Sequence, residues 1–205
     1  MAYNKFKKLE TLCTQFGIND INKAWLPKVF PVIKASNIIS EDLEDASKTS
    51  LTTLKAKSEY IIAPILKELK RVNNHQFSTY SGFQFRVDVK NNLGGVCDFV
   101  LSAEINKPKI TMPIICVMGA KNKEISESLA ECGAKMYAMQ IFNEQKKQPR
   151  KAIYGCVTNV RLWCFLKLEN KNLLIDPNYI PLTFANPNEV LEVWQWILDK
   201  SLANE

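Results

Sequence analysis

Gly95-Val96-Cys97-Asp98-Phe99-Val100-Leu101 and Met112-Pro113-Ile114-Ile115-Cys116-Val117-Met118-Gly119-Ala120-Lys121 are the two stretches whose reading decides the fold. Both read as strands. Asp98 lies inside the first and Lys121 ends the second. A charged group in an apolar strand is costly unless it is paired or metal-bound. Two of them on consecutive strands point to a polar site at the edge of a sheet core.

The flanking sequence supplies the rest of a sheet. A run at 83–89 precedes 95–102, and Asn91-Asn92-Leu93-Gly94-Gly95 between them is rich in turn formers, so the pair reads as a hairpin. The third strand is 113–120, and further strands are expected at 152–158 and 162–168, with a short extended piece at 173–176. Ile61, Ile62, Ile65, Leu66, Leu69 and Val72 give a helix over 58–72, with a kink or late start at Pro64. The longest helix spans 124–145, and a closing helix at 188–202 carries Val190, Leu191, Trp194 and Ile197. Near the start, 4–16 has the spacing of an amphipathic helix, Leu26-Pro27 and Phe30-Pro31 break the chain, and Ser40 is placed to cap a helix from Glu41. The order predicts an α/β fold: a central mixed sheet of four or five strands flanked by helices. Residues 1–57 read as a helical N-terminal extension and 58–205 as the domain itself.

Composition narrows the classes. The chain has 205 residues, 46% of them hydrophobic, enough for one packed core. No apolar run reaches the roughly 20 residues needed to span a bilayer. Met1-Ala2-Tyr3-Asn4-Lys5-Phe6-Lys7-Lys8 lacks the apolar core of a signal peptide, so a cytoplasmic location and no membrane partner are expected. The six cysteines show no CxxC spacing and read as buried thiols. His75 is the only histidine, which excludes a histidine metal cluster, and the sequence holds no P-loop or GxGxxG. The net charge of +6 permits a nucleic-acid partner without demanding one. Lys146, Lys147, Arg150 and Lys151 cluster around Pro149, either as a solvated loop or as a phosphate-contacting patch.

Residues two apart on a strand share a face, so positions 119 and 121 point the same way, toward the neighbour that carries Asp98. Hydrolysis of a phosphodiester needs an activated water and compensation for charge building on the phosphate. Carboxylates holding Mg²⁺, with a lysine nearby, meet both needs. Glu59, in the first turn of the 58–72 helix, is a further acid on offer.

With Asp98 on one strand and Gly119-Ala120-Lys121 on the next, the chain resembles the PD-(D/E)XK nuclease superfamily, and within it a bacterial group of nuclease-like proteins. The similarity runs over roughly residues 57 to 180, including Glu59 to Leu69, Ala130 to Asn143 and Tyr154-Gly155-Cys156-Val157-Thr158. It implies a restriction-endonuclease-like fold and Mg²⁺-dependent cleavage of DNA, and it is compatible with a homodimer. Asp98 would be a metal ligand, Lys121 the stabilising cation, Glu59 an auxiliary acid and ligand, and Gln140 a residue that orients the site. The group usually reads Glu-Ala-Lys where this chain has Gly119-Ala120-Lys121, and a glycine offers no ligand. Three explanations compete: a silent module that only binds nucleic acid or a protein; a carboxylate moved to the next helix, where Glu124, Glu127 and above all Glu131 are in reach; or a change particular to this copy. A generic interaction domain, with Asp98 and Lys121 as a structural ion pair, is a further reading.

Overall fold

The computed structural model describes residues 3–105, 107, 110, 114–120 and 124–205, with the backbone alone for 114–118 and 120. Its helices are α1 (Leu9–Phe16), α2 (Asn37–Ser47), α3 (Leu54–Lys57), α4 (Ala63–Val72), α5 (Leu129–Gln145) and α6 (Asn188–Ala203). Its strands are β1 (Asn19–Asn22), β2 (Ser78–Asp88), β3 (Leu93–Ser102), β4 (Ile114–Ala120), β5 (Ile153–Thr158), β6 (Leu162–Glu169), β7 (Asn172–Ile175) and β8 (Ile180–Pro181). Among the described residues they form one sheet in the order β1-β7-β6-β5-β4-β3-β2, with β8 beside β6. β4 pairs β5 in parallel and β1 pairs β7 in parallel, while the other ladders are antiparallel, so the sheet is mixed.

Helices cover both faces, as expected. One layer holds Ile39 and Leu43 of α2, Ile65 and Leu69 of α4, and Leu191 and Trp194 of α6. The other holds Leu12 of α1 and Ala134, Met136 and Met139 of α5. α5 lies close against β5 because position 155 is glycine. A Cβ there would stand 3.0 Å from Cys132 Sγ and inside the radius of Met136 Sδ.

The N-terminal 57 residues, expected as a helical extension, pack on the same sheet and contribute a strand besides helices. β1 adds a strand to the sheet, α1 packs under α5, and α2 packs beside α4. The intervening segment is pinned by buried acids: Asp176 accepts from the Trp25 and Leu26 amides, and Glu68 from the Ser36 amide and hydroxyl. The cap of α2 is accordingly Ser36, whose hydroxyl accepts from the Ile39 amide, so the helix begins before the expected Glu41.

Pro64 acts as its chemistry requires. It has no N–H for the carbonyl four residues back. The ladder slips into a π turn over Ser58–Ile62, with the Ala63 amide reaching Ser58 O, and α4 resumes with Pro64 in its first turn. Cys13, Cys97, Cys132, Cys156 and Cys164 are free thiols, all but Cys13 buried. No described helix is long and apolar enough to cross a membrane.

Gly155→Ala is expected to lower stability by about 1–3 kcal/mol, because the added methyl overpacks the α5–β5 contact. Urea denaturation followed by circular dichroism measures it, and an unchanged midpoint would show that α5 can retreat at no cost.

Candidate functional site

Asp98 sits midway along β3, the strand next to the sheet edge β2. Continuing the β3–β4 register one step past Phe99↔Met118 sets it opposite Gly119, and Gly119 in turn pairs Val157 of β5. Asp98 and the position that lacks a carboxylate are therefore neighbours, as the strand reading required. They lie at the end of the sheet where the parallel strands β4 and β5 finish and α5 begins. In open α/β sheets the carboxyl ends of strands are where ligands bind.

A local distortion aims the Asp98 side chain. Leu93, Cys97 and Val100 face the α5 layer, whereas Phe99 and Leu101 face the other, so the two-residue alternation slips at Asp98. β2 slips with it, since Tyr80, Phe83 and Phe85 all lie against the α5 layer. Gly82 stands across from Asp98, between the pairs Ser81↔Phe99 and Phe83↔Cys97, and has φ +62°. Glycine takes that left-handed conformation without penalty.

The partner that meets Asp98 is Lys135 of α5. Its side chain is 3% exposed, and its Nζ lies 2.7 Å from Glu131 Oε1 and 3.8 Å from Asp98 Oδ2. Glu131 and Lys135 are four residues apart, which puts them on one face of the helix. Glu131 is 18% exposed and Asp98 36%. Asp98 Oδ2 itself is closed from solvent and has no hydrogen-bond partner among the described residues, since 3.8 Å is an ion-pair distance only. Burial alone would push the Lys135 ammonium down, but the charges of Asp98 and Glu131 outweigh it and hold its pKa above the ordinary lysine value. The neighbouring Cys97 thiol is pushed up to about 12 by burial, so it stays protonated.

The other residues singled out from the sequence divide as follows. Glu131 joins Asp98 through Lys135, while Glu124 and Glu127 are exposed. Lys121 lies outside the described residues. Glu59 is 58% exposed and its ionic partner is Lys55 on its own helical segment, in the layer opposite α5, so it is not drawn to the trio. Gln140 lies five residues beyond Lys135, about 7.5 Å along the axis and turned by about 140°. Its amide donates to Glu144 at 3.1 Å and it takes no part in the trio.

The basic cluster falls elsewhere too. Lys146, Lys147, Arg150 and Lys151 follow the far end of α5, and Lys146 is about 16 Å along the axis from Lys135. Arg150 is committed to the Ser201 carbonyl at 3.1 Å. The cluster therefore makes no direct contact with the Asp98 trio, and that it forms the rim by which DNA would approach stays a proposal.

Lys135 was missed by the sequence reading. Its signal was available in Ala134-Lys135-Met136, a charge inside an apolar stretch four residues after an acid. Among the described residues no group of three or more His, Cys, Asp or Glu side chains could hold a metal ion. That excludes an all-protein cage built from them. Mg²⁺, however, is commonly held by one or two carboxylates with waters and substrate phosphate completing the shell. Asp98 and Glu131, with an Asp98 Oδ2 that has no donor among the described residues, fit that requirement. Compared with family models, with curated proteins and with solved structures, the chain matches none.

Lys135→Met is expected to cost about 1–3 kcal/mol at neutral pH, since it leaves partly buried carboxylates without their cation. A lysine whose pKa is raised on folding stabilises fully below its unfolded value, about 10.4, and loses that contribution as pH climbs through the folded value. The stability gap between the natural chain and Lys135→Met should therefore be constant near neutrality and shrink above about pH 10.4. Urea titrations across this range measure it; a gap that widens in alkali would refute the ion-pair account.

Proposed function

We propose that this chain is a Mg²⁺-dependent phosphodiester hydrolase acting on DNA, with a restriction-endonuclease-like core in which Glu131 of α5 replaces the carboxylate that Gly119 lacks. One observation carries the reading: a buried ammonium shared by carboxylates from β3 and α5, beside Gly119, at the end of the sheet where β4 and β5 finish. The order of α4, β2, β3, β4, α5 and β5 around a mixed sheet supports the same core.

In this reading Asp98 and Glu131 would hold the metal, which when bound supplies a water of lowered pKa and a counter-charge for the phosphate. Lys135 keeps a positive charge in a site that excludes most solvent, where an ammonium stabilises developing phosphate charge far better than in water. It also offsets one of the two carboxylate charges while no metal is present. Lys121, which follows β4 in the sequence, would be the stabilising cation that the resemblance implies, beside Lys135.

A second reading has its own observation. The 2.7 Å contact between Lys135 and Glu131 already neutralises Glu131, so the ammonium could stand permanently where a metal would go. The chain would then be a silent module that binds nucleic acid without cutting it.

The test is cleavage of linear and supercoiled DNA in Mg²⁺ or Mn²⁺. The hydrolase reading expects metal-dependent cleavage that Asp98→Asn and Glu131→Gln abolish and Lys135→Met reduces by about 10²–10³-fold. DNA binding without cleavage would establish the silent module, and loss of both would overturn the nucleic-acid reading.

A further inference from the structure

We infer that a cavity at the same end of the sheet, in the layer opposite α5, is a binding site for a mononucleotide-sized ligand recognised through its phosphate. The cavity has a volume of about 490 Å³, within the range of small-molecule sites. It lies where β5 ends. Thr158, the last residue of β5, pairs Ala120, so Asn159, Val160 and Arg161 turn over the sheet end that carries Gly119. The inference does not depend on the hydrolase reading, because it concerns binding by other residues.

The lining contains no acid. Lys57 and Arg161 both face the cavity, and neither side chain has an ionic or hydrogen-bonding partner among the described residues. Asn159 adds a donor. Its Oδ1 is used twice, by the Arg161 and Leu162 amides at 3.1 and 2.9 Å, which leaves its amide nitrogen uncommitted. The polar groups at the end of α2 are already spent on one another: Ser47 Oγ donates to Glu44 O and Thr49 Oγ1 to Asp45 O. What remains for a ligand is positive and donor-rich. Leu51 and the half-buried Phe184 form an apolar wall, suited to a base or another flat ring.

The turn that presents these groups is strained. Val160 has φ +73°, a conformation that a β-branched residue adopts only when its surroundings impose it. The constraint is visible: the Val160 amide donates to Thr158 Oγ1 at 2.9 Å, and Trp163 Nε1 donates to the Val160 carbonyl at 3.2 Å. Such strain concentrates at ligand clamps. Its effect here is to put Asn159 and Arg161 together on the cavity.

The experiment is isothermal titration of the full chain, without divalent metal, using thymidine 5′-monophosphate, thymidine and inorganic phosphate. The proposal expects the nucleotide to bind at least about tenfold more tightly than the nucleoside. It also expects Arg161→Gln and Lys57→Gln each to weaken the nucleotide by about tenfold or more, the loss of one charge-assisted contact. Lys146→Gln, in the distant basic loop, should change nothing. Both tested side chains reach solvent and lack protein partners, and denaturation midpoints confirm that the variants fold. Equal affinity for nucleotide and nucleoside, no binding of any of the three, or binding indifferent to both substitutions would each overturn the site.

Discussion

An ammonium buried to 3% exposure can persist only where carboxylates surround it, and Lys135 is such a group. Removing a charge from water costs several kcal/mol, which good geometry with an opposite charge must offset. Glu131 supplies that from the same helix and Asp98 from β3, so the start of α5 is tied to the sheet by charge as well as by packing. The contact works only if the helix lies close, and Gly155 provides the room beneath it. Helix placement, sheet distortion and candidate chemistry thus rest on the same few groups.

Other buried acids show what is unusual about Asp98. Asp176 accepts from the Trp25, Leu26 and Asn178 amides, and Glu68 is satisfied by Ser36 and Arg71. Both are structural clasps whose oxygens are engaged. Asp98 Oδ2, closed from solvent, has an ion partner and no hydrogen bond among the described residues. Buried polar atoms are rarely left so without reason. An oxygen without a donor among the described residues would be available to the cation that the proposed function requires. The same end of the sheet carries Lys57 and Arg161 on its other layer, with no partners among the described residues, so an anionic ligand would meet favourable charge from that side.

The strands from β2 to β6 were legible because each is a run of apolar or alternating residues bounded by turn formers, and α5 and α6 because their apolar residues recur at helical spacing. β1 was not. Asn19-Asp20-Ile21-Asn22 is polar, and it becomes a strand through parallel pairing with β7, some 150 residues away. Local pattern carries no trace of such a partner. The start of α2 was misplaced for a related reason: Ser36 and Ser40 are both competent caps, and Glu68, which grips Ser36, decides between them. At the site, the neighbourhood of Asp98 and Gly119 followed from strand periodicity. Glu131 was one of three acids on offer, and in the structure Glu124 and Glu127 fall before α5 while Glu131 lies on it, one turn from Lys135. Lys135 escaped because the search was for a lysine on β4. The rule applied to Asp98, a charge inside an apolar run, would have found it.

The central claim is that Asp98 and Glu131 form one cation site now bridged by Lys135. The most direct measurement is the anomalous difference map of a crystal soaked in Mn²⁺. The account expects a single strong peak coordinated by Asp98 and Glu131 oxygens, with the Lys135 ammonium displaced toward the second coordination sphere. A map with no peak there, and Lys135 still seated between the two carboxylates, would contradict it.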